Sequence, residues 1–175
     1  VIHGGQADQL VVSARTSGDA NDEQGLSLFI VDANAKGVKI DDYAAHDGYR
    51  MADISFSNVA VSADKLLGDL DQAFPRIEKA MDLGIAAVCA EAVGAMETMV
   101  ATTLEYIKTR KQFGVPISKF QVLQHRMADM FIQAEQSKSM AILAANTADS
   151  DDTAERRNAL SMAKTLVGQD ARYVA

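Results

Sequence analysis

The sequence predicts a multidomain α and β protein, an antiparallel β domain over residues 1–72 followed by an up-down helical bundle over 73–175. Three observations carry that reading. Short runs of β-forming residues separated by polar turns occupy residues 1–70. Residues 75–109 contain no internal proline, and only Gly84 and Gly94 interrupt an apolar helical pattern. No strand signal is followed by a helix and then another strand, which argues against a Rossmann-type parallel sheet.

In the β part, Leu10-Val11-Val12-Ser13-Ala14-Arg15 and Leu26-Ser27-Leu28-Phe29-Ile30-Val31 are apolar runs that flank a polar, acidic loop over 16–25. They read as a long hairpin. Gly37-Val38-Lys39-Ile40 is a third short strand, and residues 54–61 alternate apolar and polar with period two, as a half-buried strand does. Gly4-Gly5 marks a turn; with no helix after it, it is no phosphate loop. His3 and His46 lack the cysteine or carboxylate spacing of a metal site and read as isolated polar side chains.

Pro75 suits the first turn of the first long helix. Between Met81 and Met99 that helix is apolar on almost every face, so it is expected to be buried all round by neighbouring helices and another subunit. Ser118-Lys119-Phe120-Gln121 fits a capping box for a second helix reaching about Thr147, with Phe120, Leu123, Met127, Met130, Phe131 and Ala134 as its apolar stripe. Asp149-Ser150-Asp151-Asp152-Thr153 is an acidic start signal for a third helix, which still runs at Ala175. Short connections between three long helices give an up-down bundle, read as an incomplete four-helix bundle. With no initiator methionine at Val1, the sequence reads as an interior piece of a longer polypeptide.

A net charge of −7 argues against nucleic-acid binding, which needs a basic field. Cys89 is the only cysteine, so no intrachain disulfide forms; its apolar neighbours make it a buried, inert thiol. No targeting signal is visible, and the weakly charged run over 83–96 is too short to span a bilayer.

The connector between the first two helices is richer than a helical hairpin requires. Arg110, Gln112, Phe113, Gly114 and Pro116 fall within seven residues. An arginine past a helix C-terminus complements the dipole and needs no ligand. That account leaves Phe113 unexplained in a solvent-facing turn. Arginine forks suit a pyrophosphate and aromatic faces suit an adenine, so nucleotide binding is the alternative.

The same residues carry a resemblance. Tyr106-Ile107-Lys108-Thr109-Arg110-Lys111-Gln112-Phe113-Gly114, Ile117-Ser118-Lys119-Phe120-Gln121 and Met127-Ala128-Asp129-Met130 resemble the acyl-CoA dehydrogenase family. The resemblance extends back through Ala7-Asp8, Val11-Val12-Ser13-Ala14-Arg15, Ile54-Ser55-Phe56-Ser57-Asn58-Val59 and Leu66-Leu67-Gly68. It implies the C-terminal part of a middle β domain (1–72), an incomplete C-terminal four-helix-bundle domain (73–175) and FAD as cofactor. By the match, Arg110 binds the pyrophosphate region, Gln112 contacts the cofactor and Phe113 packs near the adenine part, across a dimer interface. Phe120 and Gln121 fall on further FAD-contact positions, and Ile117 lines the same site. Asp82 matches a position that touches the acyl-CoA.

Several positions depart from the family pattern. The catalytic base is usually a glutamate outside these residues; the minority position on the first bundle helix is Gly84 here, so no catalytic residue is assigned in this chain. Ile85 replaces a family arginine, and Ile2 stands where a hydroxyl is expected beside the flavin. Arg156 and Arg157 read as solvated helix-surface residues, with CoA phosphate contact as the alternative. The resemblance implies α,β-dehydrogenation of an acyl-CoA thioester to the trans-2-enoyl-CoA. The alternatives are a non-catalytic subunit of a paired dehydrogenase and an acyl-CoA oxidase relative. It further implies a homotetramer (a dimer of dimers) or a hetero-oligomer, electron-transferring flavoprotein as electron acceptor, and a bacterial cytoplasmic or mitochondrial-matrix location.

Overall fold

The computed structural model describes residues 1–175. The chain divides into two compact units, Val1–Ile77 and Glu78–Ala175.

The first unit is built from antiparallel hairpins. Strands β1 (Gln9–Arg15) and β2 (Leu26–Asp32) pair with Gln9 opposite Asp32 and Arg15 opposite Leu26. Their acidic loop is tied down by its own arginine. The Arg15 guanidinium donates to the backbone carbonyls of Ser17, Ala20, Asp22 and Gln24 at 3.1, 3.3, 2.8 and 2.9 Å. Gly25 closes this loop at φ +85°, where a Cβ would lie 2.1 Å from the Ser17 carbonyl oxygen; only glycine fits.

Strands β3 (Val38–Ala44) and β4 (Arg50–Phe56) form the second hairpin, with Val38 opposite Phe56. The strand expected over 54–61 is therefore displaced toward the N-terminus. Asn58 adopts the left-handed conformation at φ 50° and ends the pairing. Val59 still packs on the small core of Leu10, Val31 and Ala33, but from a loop. Alternation continued past the strand because Val59 is still half-buried after pairing stops, whereas Val61 is exposed. Gly4-Gly5 enters a single 3₁₀ turn, Gly4–Gln6.

The second unit is an up-down bundle of α1 (Phe74–Thr109), α2 (Gln121–Thr147) and α3 (Thr153–Val174). Ion pairs Lys138–Glu97 at 2.8 Å and Lys79–Asp149 at 2.9 Å run α2 back along α1. Bonds from Ser137 to Asp170 and from Tyr173 to Asp129 run α3 back along α2. Asp152 caps α3, accepting from the N–H groups of Ala154 and Glu155, as the acidic start signal predicts.

Burial follows alternating four- and three-residue steps. It takes in Asp82, Ala86, Cys89, Val93 and Met96 on α1, Ala134, Ser137, Ala141 and Ala144 on α2, and Arg156, Leu160, Ala163, Val167, Asp170 and Val174 on α3. That is the seam of a left-handed helix bundle. On α1 the neighbouring helices of this chain cover one part of the apolar surface. One stripe is buried, while Met81, Leu83 and Val88 remain 62, 47 and 50 % exposed. On α2, Phe131 likewise lies outside the seam at 57 % exposure. By length and composition α1 is apolar enough to cross a bilayer, with mean hydropathy 1.5 over its most apolar window. In this unit its apolar stripe packs against α2 and α3.

Candidate functional site

The connector between α1 and α2 is itself a small β-hairpin. Strands β5 (Lys111–Gln112) and β6 (Val115–Pro116) pair antiparallel, leaving Phe113 and Gly114 as a two-residue turn. Both have positive φ, 56° and 82°. This is the type I′ pattern, whose twist matches that of paired strands. Glycine adopts it freely; a phenylalanine there is strained by about 1–2 kcal/mol. Its ring is 91 % exposed.

Two contacts fix the hairpin to the bundle. The Ile117 N–H donates to the Arg110 carbonyl at 2.8 Å, closing the base of the turn. The rings of Phe113 and Phe120 meet edge to face at 6.2 Å between centroids. Arg110, Gln112 and Gln121 are exposed, and their side chains have no polar partner within the chain. Ile117 and Phe120 are half-buried. All six cofactor-site candidates thus lie on one rigid connector and the head of α2.

The helix start differs from expectation. Ser118 lies in the 3₁₀ turn Ile117–Lys119, and α2 begins at Gln121 with Phe120 as an N-cap that makes no side-chain bond. The Ser118–Gln121 capping box does not form. Gln124 instead holds the 3₁₀ turn from inside the helix, donating through Nε2 to the Ser118 carbonyl at 2.8 Å. A side chain reaching six residues back has no periodicity signal, so the sequence reading lacked it.

Asp82, expected to touch the substrate, is buried, with its Oδ2 accepting from Arg156 Nε at 2.7 Å. Arg156 is correspondingly buried and not solvated. It also donates to the Ser150 carbonyl at 2.7 Å and to Glu78 Oε2 at 3.4 Å, while Glu78 Oε1 takes Arg157. Two arginines in the first turns of a helix oppose its dipole; the carboxylates of α1 offset this. Ile85 packs against the core, and Gly84 is open, with nothing within 4 Å of the position a Cβ would take.

Elsewhere the titratable groups show no catalytic cluster. Burial pushes the Cys89 thiol above its ordinary value, against a smaller opposing pull from Lys164. His3 meets Tyr49 edge-on at 5.7 Å. No group of three or more His, Cys, Asp or Glu side chains is placed to hold a metal ion.

Comparison with known proteins converges on this hairpin-and-bundle arrangement. The family model described as "Acyl-CoA dehydrogenase, C-terminal domain" matches residues 72–175. The chain belongs to the acyl-CoA dehydrogenase family. Among curated relatives, the 3-(aryl)acrylate reductase of Clostridium sporogenes is 32 % identical over 168 residues, covering 94 % of this chain and 44 % of the relative. A short-chain specific acyl-CoA dehydrogenase of Megasphaera elsdenii is 32 % identical over 149 residues, covering 83 % of this chain and 38 % of that one. The solved structure of butyryl-CoA dehydrogenase from the same organism matches with TM-score 0.81 at 28 % identity, over 99 % of this chain and 45 % of its own. The chain therefore spans less than half the length of these acyl-CoA dehydrogenase relatives.

Proposed function

We propose that the complete polypeptide carrying this chain is an FAD-dependent acyl-CoA dehydrogenase, converting an acyl-CoA thioester to its trans-2-enoyl-CoA. The observation that carries the reading is Phe113, a strained phenylalanine held 91 % exposed beside the unpartnered guanidinium-bearing residue Arg110. A bulky residue in the left-handed region persists when something other than stability selects it.

The residues fit the cofactor. Arg110 offers a planar fork of N–H donors suited to a pyrophosphate, and Gln112 and Gln121 offer free amides. The exposed ring of Phe113 offers a face for an adenine. Strand pairing over β5 and β6, with the Ile117–Arg110 bond, orders these groups beforehand, so little conformational entropy is lost on binding. When bound, FAD supplies the acceptor for the hydride leaving the substrate's β-carbon. Within this chain the residues bind and orient; no residue here is assigned to take the α-proton.

A second reading is favoured by α1. Four of its five carboxylates, Glu78, Asp82, Glu97 and Glu105, are engaged with cations, the fifth, Glu91, is exposed on the helix surface, and Gly84 offers no acid where a minority of the family carries one. A non-catalytic subunit of a paired dehydrogenase would keep the hairpin and lack a base. In either reading the exposed apolar faces of α1 support assembly as a homo- or hetero-oligomer. An electron-transferring flavoprotein is then the proposed redox partner.

The complete protein should purify yellow, and a fitting acyl-CoA should bleach its flavin band under anaerobic conditions. Colourless protein that takes up no added FAD would sink the flavin reading. Bound FAD that no acyl-CoA in a chain-length series can bleach would select the non-catalytic subunit. Peroxide release on admission of oxygen would select the oxidase.

A further inference from the structure

The chain is acidic overall, yet residues 106–128 contain Lys108, Arg110, Lys111, Lys119 and Arg126 and no carboxylate at all. The excess of acid therefore resides entirely elsewhere. Pairing sharpens the contrast. Outside this stretch Lys39, Arg50, Arg76, Lys79, Lys138, Arg156 and Arg157 each have a carboxylate within 4.0 Å. The cations without one, Arg15, Lys36, Lys65, Lys164 and Arg172, are scattered along the chain among its carboxylates. Within residues 106–128 only Lys108, in the last turn of α1, is paired, with Glu105. Arg110, Lys111, Lys119 and Arg126 are exposed and without an ion-pair partner. The proximity of Arg110, Lys111 and Lys119 follows from the backbone: Lys111 pairs opposite Pro116, and Ile117, two residues before Lys119, bonds back to Arg110.

Arg110 alone answers the need for a phosphate ligand. Lys111 and Lys119 are not required for that contact, and neither caps a bond in the hairpin. Uncompensated charge of one sign on a protein of the opposite net sign focuses a local field. We infer that Lys111 and Lys119 form an electrostatic funnel that draws the FAD diphosphate onto the hairpin of this otherwise acidic chain. The inference rests on the FAD reading above. The lysines act on the approach of the dianion, and Arg110 and Phe113 act on its retention.

The separation of roles gives the test. Apo-protein is prepared from the full-length chain, and FAD uptake is followed by stopped-flow flavin fluorescence over a range of salt. In the parent, the association rate should fall steeply as salt rises through the range where the Debye length drops below about 10 Å. K111Q/K119Q should slow association about three- to tenfold at low salt. It should converge with the parent at high salt, and the dissociation rate should not change. The control K36Q/K65Q removes the same charge from two exposed lysines of the first unit and should leave association near the parent rate. Equal association rates for K111Q/K119Q and parent, or equal slowing in the control, overturn the funnel while FAD binding stands. Absence of any FAD uptake by the parent overturns the FAD reading itself.

Discussion

Arg156 Nε donates to Asp82 Oδ2 at 2.7 Å, both residues being less than a tenth exposed, and so locks the start of α3 to the first turns of α1. Removing one partner of a buried pair leaves the other charged and desolvated. Asp82→Ala should therefore destabilise the protein by about 3 kcal/mol, with Glu78 retaining part of the hold on Arg156. Replacing the pair together, as Asp82→Leu with Arg156→Met, should recover most of the loss. Urea unfolding midpoints decide it; an Asp82→Ala midpoint equal to the parent's contradicts a buried lock.

The second buried polar contact has no cation in it. Ser137 donates from Oγ to Asp170 Oδ2 at 2.7 Å, in the seam between α2 and α3. Ser137→Ala strips the carboxylate of that donor and should cost about 1–3 kcal/mol. Adding Asp170→Ala should bring stability back toward the parent, a coupling of about 1 kcal/mol or more in a double-mutant cycle. Additive losses would mean the two side chains act independently.

These two contacts also show where sequence reading stopped. The helices, their ends near Thr109 and Thr147, and the first hairpin were legible because apolar period and turn chemistry agree there. The apolar part of the α3 seam, Leu160, Ala163, Val167 and Val174, was legible too; its polar members were not, since Ser137, Arg156 and Asp170 occupy buried positions that apolar counting skips. Arg156 looked like a surface residue because its carboxylate partners lie more than seventy positions earlier in the chain. On α1, apolarity records what a face can bury: α2 and α3 cover one stripe of it, and the remaining faces are those the sequence assigns to another subunit. At the hairpin, Phe113 was visible as an anomaly before any geometry. Its left-handed backbone and edge contact with Phe120 belong to the fold and could not be counted from spacing.

Cys89 gives a pH dependence with a definite sign. Burial raises its pKa above the ordinary 9.0, so the folded protein holds the proton more tightly than the unfolded chain does. Below the ordinary value both states are protonated and this contribution to stability is complete. As pH rises past it the unfolded chain ionises first, and stability falls by up to about 1.4 kcal/mol per pH unit until the folded thiol ionises too. Denaturation of parent and Cys89→Ala at a series of pH values from 8 upward should show the steeper alkaline decline in the parent. Parallel curves would place the decline on other groups. Thiol reagents should label Cys89 slowly in the native protein and rapidly in denaturant.

Arg110 and Lys111 are neighbours with opposite expected roles. Arg110→Ala should raise the FAD dissociation rate about tenfold or more, the loss of one charge-assisted contact. Lys111→Ala should leave dissociation unchanged. Equal dissociation rates in the two variants would contradict the assignment of Arg110 as the phosphate ligand.

The turn residues set stability against binding. Phe113 is strained at φ 56° and almost wholly exposed, so Phe113→Gly should leave the fold intact and stabilise it by up to about 1 kcal/mol. The same change removes the ring and should weaken FAD retention several-fold. Gly114→Ala runs the other way, introducing strain at φ 82° and costing about 1–2 kcal/mol, while keeping the ring. Unfolding midpoints and flavin dissociation rates measured on both variants should therefore move in opposite senses. If Phe113→Gly lost stability and kept FAD as the parent does, the ring would be serving the hairpin, through Phe120, and not the nucleotide.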